Sequence, residues 1–318
     1  MMPSQNDQKG LQPGQLGNHI FDLVPEISEL AEVKIEILDD IDSSNVTPKH
    51  WEKWLARFKS LYNKFDGFVI THGTDSMVYS SSAFSFALGQ TEKPIVFTGS
   101  QRPLTHIRTD ARDNLINAIE ISCRGPKEVS ICFGNRLLRA NRAIKLSASD
   151  YVAFESFNFP HLAKIGLEIE GVAEKQAKGG KPMWHSDFKE GVFCFKIFPG
   201  LSADIIRSAL QSKACEGIVL EAYGSGNVPS LEPTVLNIIE DAEALKKPVI
   251  IVSQCPHGRV DLDLYECGIK AKKAGAISGG DMTREASIVK LMHGLGLGLI
   301  GKKLANYFLE DISGERSF

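Results

Sequence analysis

Two short apolar runs, each broken by a glycine and a hydroxyl residue and each followed at once by helix-like sequence, restrict this chain more than any other feature. Phe68-Val69-Ile70 runs into Thr71-His72-Gly73-Thr74-Asp75-Ser76, and Pro94-Ile95-Val96-Phe97 runs into Thr98-Gly99-Ser100-Gln101. Strand-length runs alternating with helical segments imply βαβ units and a mainly parallel sheet. Ligands of open α/β sheets bind at the carboxyl-terminal edge of the strands. Both motifs are expected to deliver hydroxyl, carboxylate and glycine to that edge. Ser, Thr and Asp at a helix start also serve as plain N-caps. Two such motifs on consecutive strands point beyond capping, to a site.

The remaining chain extends the same alternation. Val33–Leu38 reads as a strand. Thr47-Pro48 reads as a cap followed by an N1 proline. Trp51, Trp54, Leu55, Phe58, Leu61, Tyr62 and Phe65 then recur at helical spacing, so an amphipathic helix follows, its aromatic stripe expected to be core. Strands at 67–71 and 94–98, a helix near 76–89, a helix near 110–123 and a strand at Val129–Phe133 fill most of a first domain, 1–170. Residues 171–191 lose periodicity and gain glycine and lysine, the mark of a linker. A second domain, 192–318, is expected from strand 192–198, helix 202–212, strand 217–221, helix 231–246, strand 248–253 and helix 283–294. The fold class is therefore α/β. A larger N-terminal domain has a mainly parallel sheet flanked by helices, and a smaller C-terminal α/β domain follows.

Composition narrows the function classes. Net charge is −3 with no long basic run, which argues against nucleic-acid and membrane-surface partners. Lys246-Lys247 closes a predicted helix, where a cation suits the dipole. The six cysteines are scattered, with no C-x-x-C pair and no histidine at metal-ligand spacing. They read as reduced, mostly buried thiols of a cytoplasmic protein. The first twenty residues have no signal-peptide core, and no stretch approaches the ~20 apolar residues of a membrane span.

Asp39-Asp40-Ile41-Asp42-Ser43-Ser44-Asn45 also follows a predicted strand, so a third polar cluster is expected at the same edge; its plainer role is a solvated loop. Lys145 lies in Asn141-Arg142-Ala143-Ile144-Lys145-Leu146. Apolar neighbours can desolvate such a lysine, lowering its pKa and making it a proton acceptor. Hydroxyl, carboxylate and lysine together support attack on an acyl carbon. Tyr223-Gly224-Ser225-Gly226-Asn227 fails as a dinucleotide fingerprint, because Pro229 stands where the third glycine belongs. No Walker sequence and no H-E-x-x-H occurs, and His72 is expected to be a packed, hydrogen-bonded histidine.

His72-Gly73-Thr74-Asp75-Ser76-Met77, Thr98-Gly99-Ser100-Gln101-Arg102-Pro103, Asp42-Ser43-Ser44, Asn141-Arg142…Lys145 and Gly279-Gly280-Asp281-Met282-Thr283 closely resemble bacterial type I (cytoplasmic) L-asparaginases, in the same order over nearly the whole chain. The resemblance implies hydrolysis of L-asparagine to L-aspartate and ammonia, with no metal or organic cofactor. It also implies homo-oligomers, a dimer or dimer of dimers, with sites between subunits. By the family pattern Thr74, Asp75 and Lys145 form a proton relay. Asp42, Ser43, Ser44 and Asp75 hold the substrate's α-amino and α-carboxylate groups, Ser100 approaches the side-chain amide, and Asn227 reaches a neighbouring subunit's site.

The chain departs from that pattern in three places. The family begins with a strand ending in T-G-G-T-I-G, whose second threonine is the acyl-accepting nucleophile, whereas this chain starts at Met1-Met2-Pro3. The nucleophile is thus expected upstream of Met1, and the chain as written is expected to be inactive. The mobile-loop tyrosine is Leu11. The arginine and threonine that regulated relatives place around a second asparagine are Glu221 and Ile144, with Cys255 retained, so allosteric activation is expected to be weak or absent. A homologue that keeps the pocket but has lost the nucleophile, acting as an asparagine-binding or scaffold protein, is the alternative class of function.

Overall fold

Side chains alternate along a strand, and that alternation decides which helices cover which face of each sheet. The computed structural model describes residues 2–3, 11–12, 20–171, 180–231 and 235–317. Its first unit is Met1–Trp184. In chain order it holds β1 (Met2–Pro3), β2 (Leu11–Gln12), α1 (Ile20–Leu23), α2 (Ile27–Leu30), α3 (Pro48–Leu61), β3 (Phe68–Thr71), α4 (Met77–Leu88), β4 (Ile95–Thr98) and α5 (Ala111–Arg124). Then come β5 (Val129–Phe133), β6 (Arg136–Arg139), β7 (Ile144–Lys145), β8 (Phe154–Glu155), β9 (Ala163–Ile165) and β10 (Ile169–Glu170). The main sheet runs β10-β9-β6-β5-β4-β3. Strands β3, β4 and β5 pair in parallel, and β6, β9 and β10 extend the sheet antiparallel.

Val69 and Val96 face α5, packing with Leu115 and Ile119 or with Ala118 and Ile121. Phe68 and Phe97 face the other way, against Phe58 of α3 and Phe84 of α4, with ring centroids 4.4 and 5.3 Å apart. Helix α3 starts at Pro48, where the Thr47 amide donates to His50 Nδ1 at 3.1 Å; histidine takes the return position that Glu or Gln fills in a capping box. The aromatic stripe is core, with Trp51, Trp54, Leu55 and Phe58 all buried. Helix α4 is buried on nearly every side, as an interior helix must be. Its Ser80 hydroxyl accepts from Trp51 Nε1 at 2.9 Å.

Val33–Leu38 is not a strand. It carries the expected alternation, with Val33 and Ile35 packed on the α1, α2 and α5 cluster. A strand needs a hydrogen-bonded partner as well as a pattern, and this segment joins no ladder; among the described residues nothing pairs along the outer side of β3. Of the expected linker, 172–179 lies outside the described residues and 180–191 carries neither helix nor strand. The Leu11 side chain also lies outside the described residues.

The second unit, His185–Phe318, contains β11 (Val192–Lys196), α6 (Ala203–Gln211), β12 (Gly217–Ala222), α7 (Val235–Ala244), β13 (Val249–Ser253), α8 (Glu266–Lys273), β14 (Ile277–Ser278), α9 (Arg284–Gly296) and α10 (Gly301–Leu309). Among the described residues its four strands pair in parallel in sequence order. Ile218, Leu220 and Ile251 pack on α6 and α7, and Val219, Ile250 and Val252 on α9 and α10. Residues 232–234 of the predicted 231–246 helix lie outside the described residues. Lys247 does neutralise helix carbonyls, but those at the end of α6, with Nζ 2.6 Å from Leu210 O and 2.9 Å from Ser212 O. All six cysteines are unpaired thiols; Cys132 and Cys215 are buried, while Cys123, Cys194 and Cys255 are exposed, against the expectation of mostly buried. No helix among the described residues is long and apolar enough to cross a membrane.

His293, fully buried in α9, makes the second unit acid-sensitive. Its Nε2 is 2.8 Å from His185 O and its Nδ1 2.6 Å from the Tyr307 hydroxyl. The neutral ring satisfies both by donating from Nε2 and accepting at Nδ1. Burial pushes its pKa down to about 4, whereas an unfolded histidine titrates near ~6.5. The unfolded chain therefore binds the extra proton first as pH falls. The stabilisation is complete above about 6.5, is lost progressively down to about 4, and amounts to about 3 kcal/mol. A His293→Gln variant should show a flatter dependence of Tm on pH between 7 and 4 than the wild type, checked by calorimetry across that range.

Candidate active site

The β3–β4 register sets Thr71 opposite Thr98, and one further bond, from His72 N to Thr98 O at 2.8 Å, carries the pairing into the two turns. The 72–76 and 99–102 loops therefore leave the sheet side by side. Gly99 is required by contact, since a Cβ there would lie 2.2 Å from His72 O and 2.9 Å from Met77 Cε. Gly73 is required for the same kind of reason, because its Cβ would meet Ser43 Oγ at 2.6 Å. Close approach, not a special dihedral angle, selects glycine at both positions.

A third loop packs into that gap. Asp42 caps the short 3-10 turn Ser43–Asn45 by accepting from Ser44 N at 2.8 Å. The Ser44 amide and hydroxyl hold the Asp42 carboxyl below the usual range. Ser43 ties the turn to the β3 loop: its Oγ accepts from Asp75 N at 3.3 Å, and its carbonyl accepts from Ser76 Oγ at 2.5 Å.

Lys145 arrives from far away in sequence. It ends β7, which pairs with β8 as a two-residue antiparallel ladder, Lys145 opposite Phe154. The preceding turn is anchored by Asn141 and Arg142, both buried. Lys145 Nζ lies 2.9 Å from Thr74 Oγ1 and 2.6 Å from Asp75 Oδ1. The Thr74 hydroxyl also reaches Gln101 Oε1 at 3.5 Å. Gln101 Nε2 in turn donates to Asp150 O at 3.0 Å, joining the β4 loop to the β7–β8 hairpin. A hydroxyl thus sits between an amine and an amide oxygen, with a carboxylate on the same amine. The Thr74 side is buried, whereas the Asp75 side chain is 64% exposed and open to a ligand.

Of the residues singled out in sequence, the structure brings Thr74, Asp75 and Lys145 into direct contact, with Ser43 one bond away and Asp42 and Ser44 in the adjoining turn. Ser100 is half-buried on the 99–102 loop, where Gln101 rather than Ser100 touches Thr74. Asn227 lies in the second unit, where its amide oxygen accepts from Cys267 Sγ at 3.1 Å. Glu221 faces Arg284 at 3.4 Å. The Gly279–Thr283 motif ends in a helix cap, Thr283 Oγ1 accepting from Ala286 N at 3.1 Å. His72 is packed edge-on against Trp54, with Nδ1 2.7 Å from Gly73 O. No group of three or more His, Cys, Asp or Glu suited to a metal ion occurs among the described residues.

Sequence reasoning missed Gln101 as a contact of Thr74, and it missed Asp110 and Asn114, which hold the Gln101 loop. Asp110 hides in sequence as an ordinary helix start. The signal was its spacing of four from Asn114, which puts both on one face of α5.

The Asparaginase N-terminal family model matches residues 1–177, and the Glutaminase/Asparaginase C-terminal domain model matches residues 191–308. The chain belongs to the asparaginase family. L-asparaginase 1 of Escherichia coli is 36% identical over 278 residues, covering 86% of this chain and 82% of that protein. The crystal structure of L-asparaginase I from Vibrio cholerae superposes with a TM-score of 0.89 at 31% identity, covering 99% of this chain and 95% of that one. A Campylobacter jejuni chain described as a probable cytoplasmic L-asparaginase superposes with a TM-score of 0.80 at 25% identity, covering 92% and 93%.

The close approach at Gly99 gives a direct test of this family site's geometry. Gly99→Ala should destabilise the protein by about 1–3 kcal/mol, the usual cost of forcing extra atoms into packed structure. Loop 72–76 should loosen with it, because the added methyl meets backbone. Thermal unfolding checks the first outcome and proteolysis of the 72–76 segment the second.

Proposed function

We propose that this chain carries the proton-handling centre, Thr74, Lys145 and Asp75, of an enzyme that hydrolyses the side-chain amide of L-asparagine to L-aspartate and ammonia. The observation that carries this reading is the pair of contacts from Lys145 Nζ to Thr74 Oγ1 and Asp75 Oδ1, at the strand edge where β3 and β4 end. The family's named relatives support the substrate.

The chemistry runs in two halves. An acyl-accepting hydroxyl adds to the amide carbon while its proton passes through Thr74 Oγ1 to Lys145, and backbone N–H groups take the oxyanion charge. The C–N bond then breaks, and Lys145 returns the proton to the leaving ammonia. Water attacks the resulting ester along the same route and releases aspartate. On the family pattern the attacking hydroxyl is the threonine of T-G-G-T-I-G, a motif that does not occur among the 318 residues. Asp75, with one oxygen on Lys145, turns its exposed side to the substrate ammonium. Asp42, Ser43 and Ser44 share the α-amino and α-carboxylate groups, and Ser100 faces the side-chain amide.

The reading includes a cytoplasmic homo-oligomer, a dimer or dimer of dimers, in which Asn227 serves a neighbouring subunit's site. It requires no metal and no organic cofactor. The described Campylobacter relative supports the location.

The test is ammonia release from L-asparagine by the protein purified with all the residues its gene encodes. Lys145→Met keeps much of the stem volume but removes the proton carrier, and should lower kcat by roughly 10²–10⁴ with little change in Tm. Near wild-type kcat in that variant would make Lys145 a structural residue, and a wild type that releases no ammonia would overturn the assignment.

A further inference from the structure

Asp110 stands at the N-cap position of α5 yet makes no cap with its side chain. The capping task passes to Thr109, whose Oγ1 accepts from Ala111 N at 3.0 Å. The Asp110 carboxylate instead turns to the β4 loop. Its two oxygens accept from Gln101 N, both at 3.0 Å, and Oδ1 also accepts from Arg102 N at 3.0 Å. Oδ2 takes a further bond from Asn114 Nδ2 at 3.1 Å. Asn114, one turn along the helix and 2% exposed, donates to Gly99 O at 2.9 Å and accepts from Gly134 N at 2.9 Å. Thr98 closes the set, its hydroxyl donating to Cys132 O at 2.8 Å.

Three protein donors therefore converge on one buried carboxylate: two are backbone amides of the loop that leaves β4, and the third is the Asn114 side chain one turn along α5. A carboxylate accepts only, so it suits two convergent amides that have no strand partner. It also lies at the positive end of α5, where a negative charge is favoured. The order it imposes has one destination in the site, since Gln101 is the residue on this loop that reaches Thr74.

We infer that Asp110 is a positioning residue for the reaction: by clamping the Gln101 and Arg102 amides it sets the Gln101 side chain against the Thr74 hydroxyl, without touching substrate itself. This rests on the function proposed above, with Thr74 in the proton path. In the resting state Gln101 accepts the Thr74 hydrogen, which turns an Oγ1 lone pair toward the Lys145 amine. The 3.5 Å separation is of the kind that tightens once a site is filled.

Asp110→Asn keeps the size of the side chain but presents an NH₂ to amides that need an acceptor. Because a misplacement of about 1 Å can cost ~10²-fold in rate, kcat for asparagine should fall roughly 10- to 100-fold, with KM changed by less than about threefold. Gln101→Ala should lower kcat similarly, and the double variant should be little worse than either single one, since coupled residues are not additive. A merely structural Asp110 would lower Tm and give multiplicative losses in the double variant, which would overturn the inference. Hydrogen exchange decides the clamp independently of turnover: peptides spanning 99–104 should exchange faster in Asp110→Asn than in wild type. Unchanged exchange would overturn the clamp even in an active enzyme. A wild type that fails to release ammonia, with the exchange difference present, would instead overturn the functional reading and the catalytic half of this inference.

Discussion

The parallel pairing of β3 with β4 is the constraint on which the site depends. Its register puts Thr71 beside Thr98, so the two following loops emerge in contact; Gly99 lets them pass, and Gly73 lets the Ser43 turn pack beside them. Shifting either strand by one residue would turn Val69 and Val96 away from α5 and Phe68 and Phe97 away from α3 and α4. Burial of four apolar rows therefore fixes, as a by-product, where Thr74, Asp75 and Gln101 stand. The hydrophobic effect supplies the precision, and the polar groups inherit it.

That inheritance is incomplete without braces. Loops at a sheet edge carry backbone groups with no strand to receive them, and buried ones must find partners. Asp110 and Asn114 serve the β4 loop, Ser43 serves the β3 loop, and the β7–β8 ladder with buried Asn141 and Arg142 carries Lys145. Each brace comes from a different part of the chain, so Lys145 and Thr74, 71 residues apart, meet at 2.9 Å. The second unit uses the same economy for stability: Lys290 and Glu315, both fully buried, pair with each other while also binding backbone groups near the C-terminus.

The strands and helices of largest apolar contrast were legible in the sequence because packing and pattern coincide there: β3, β4, β5, α3 and the β11–β13 set. Val33–Leu38 had the alternation of a strand but lacks the hydrogen-bonded neighbour that alternation cannot report. Strands β6 to β10 are short and interrupted by Arg136, Arg139, Lys164 and Glu170, and α8 is eight residues with three lysines, so none carries a readable apolar period. In the site, Thr74 and Asp75 were legible from their place after a strand. Lys145 stood out only as a lysine among apolar neighbours; its place beside Thr74 was not legible, because only folding through the β7–β8 ladder brings it there, and the family resemblance supplied that pairing. Asp110 was masked by a commoner role, since an aspartate before a helix looks like its cap.

The central claim is that the Thr74–Lys145–Asp75 group is where asparagine's side-chain amide is broken. A crystal structure with the product L-aspartate bound tests it most directly. The account predicts the product's side-chain carboxylate within about 2.6–3.2 Å of Thr74 Oγ1 and its ammonium against the exposed oxygen of Asp75. Aspartate bound elsewhere at saturating concentration, with no ligand at Thr74 and Lys145, would contradict it.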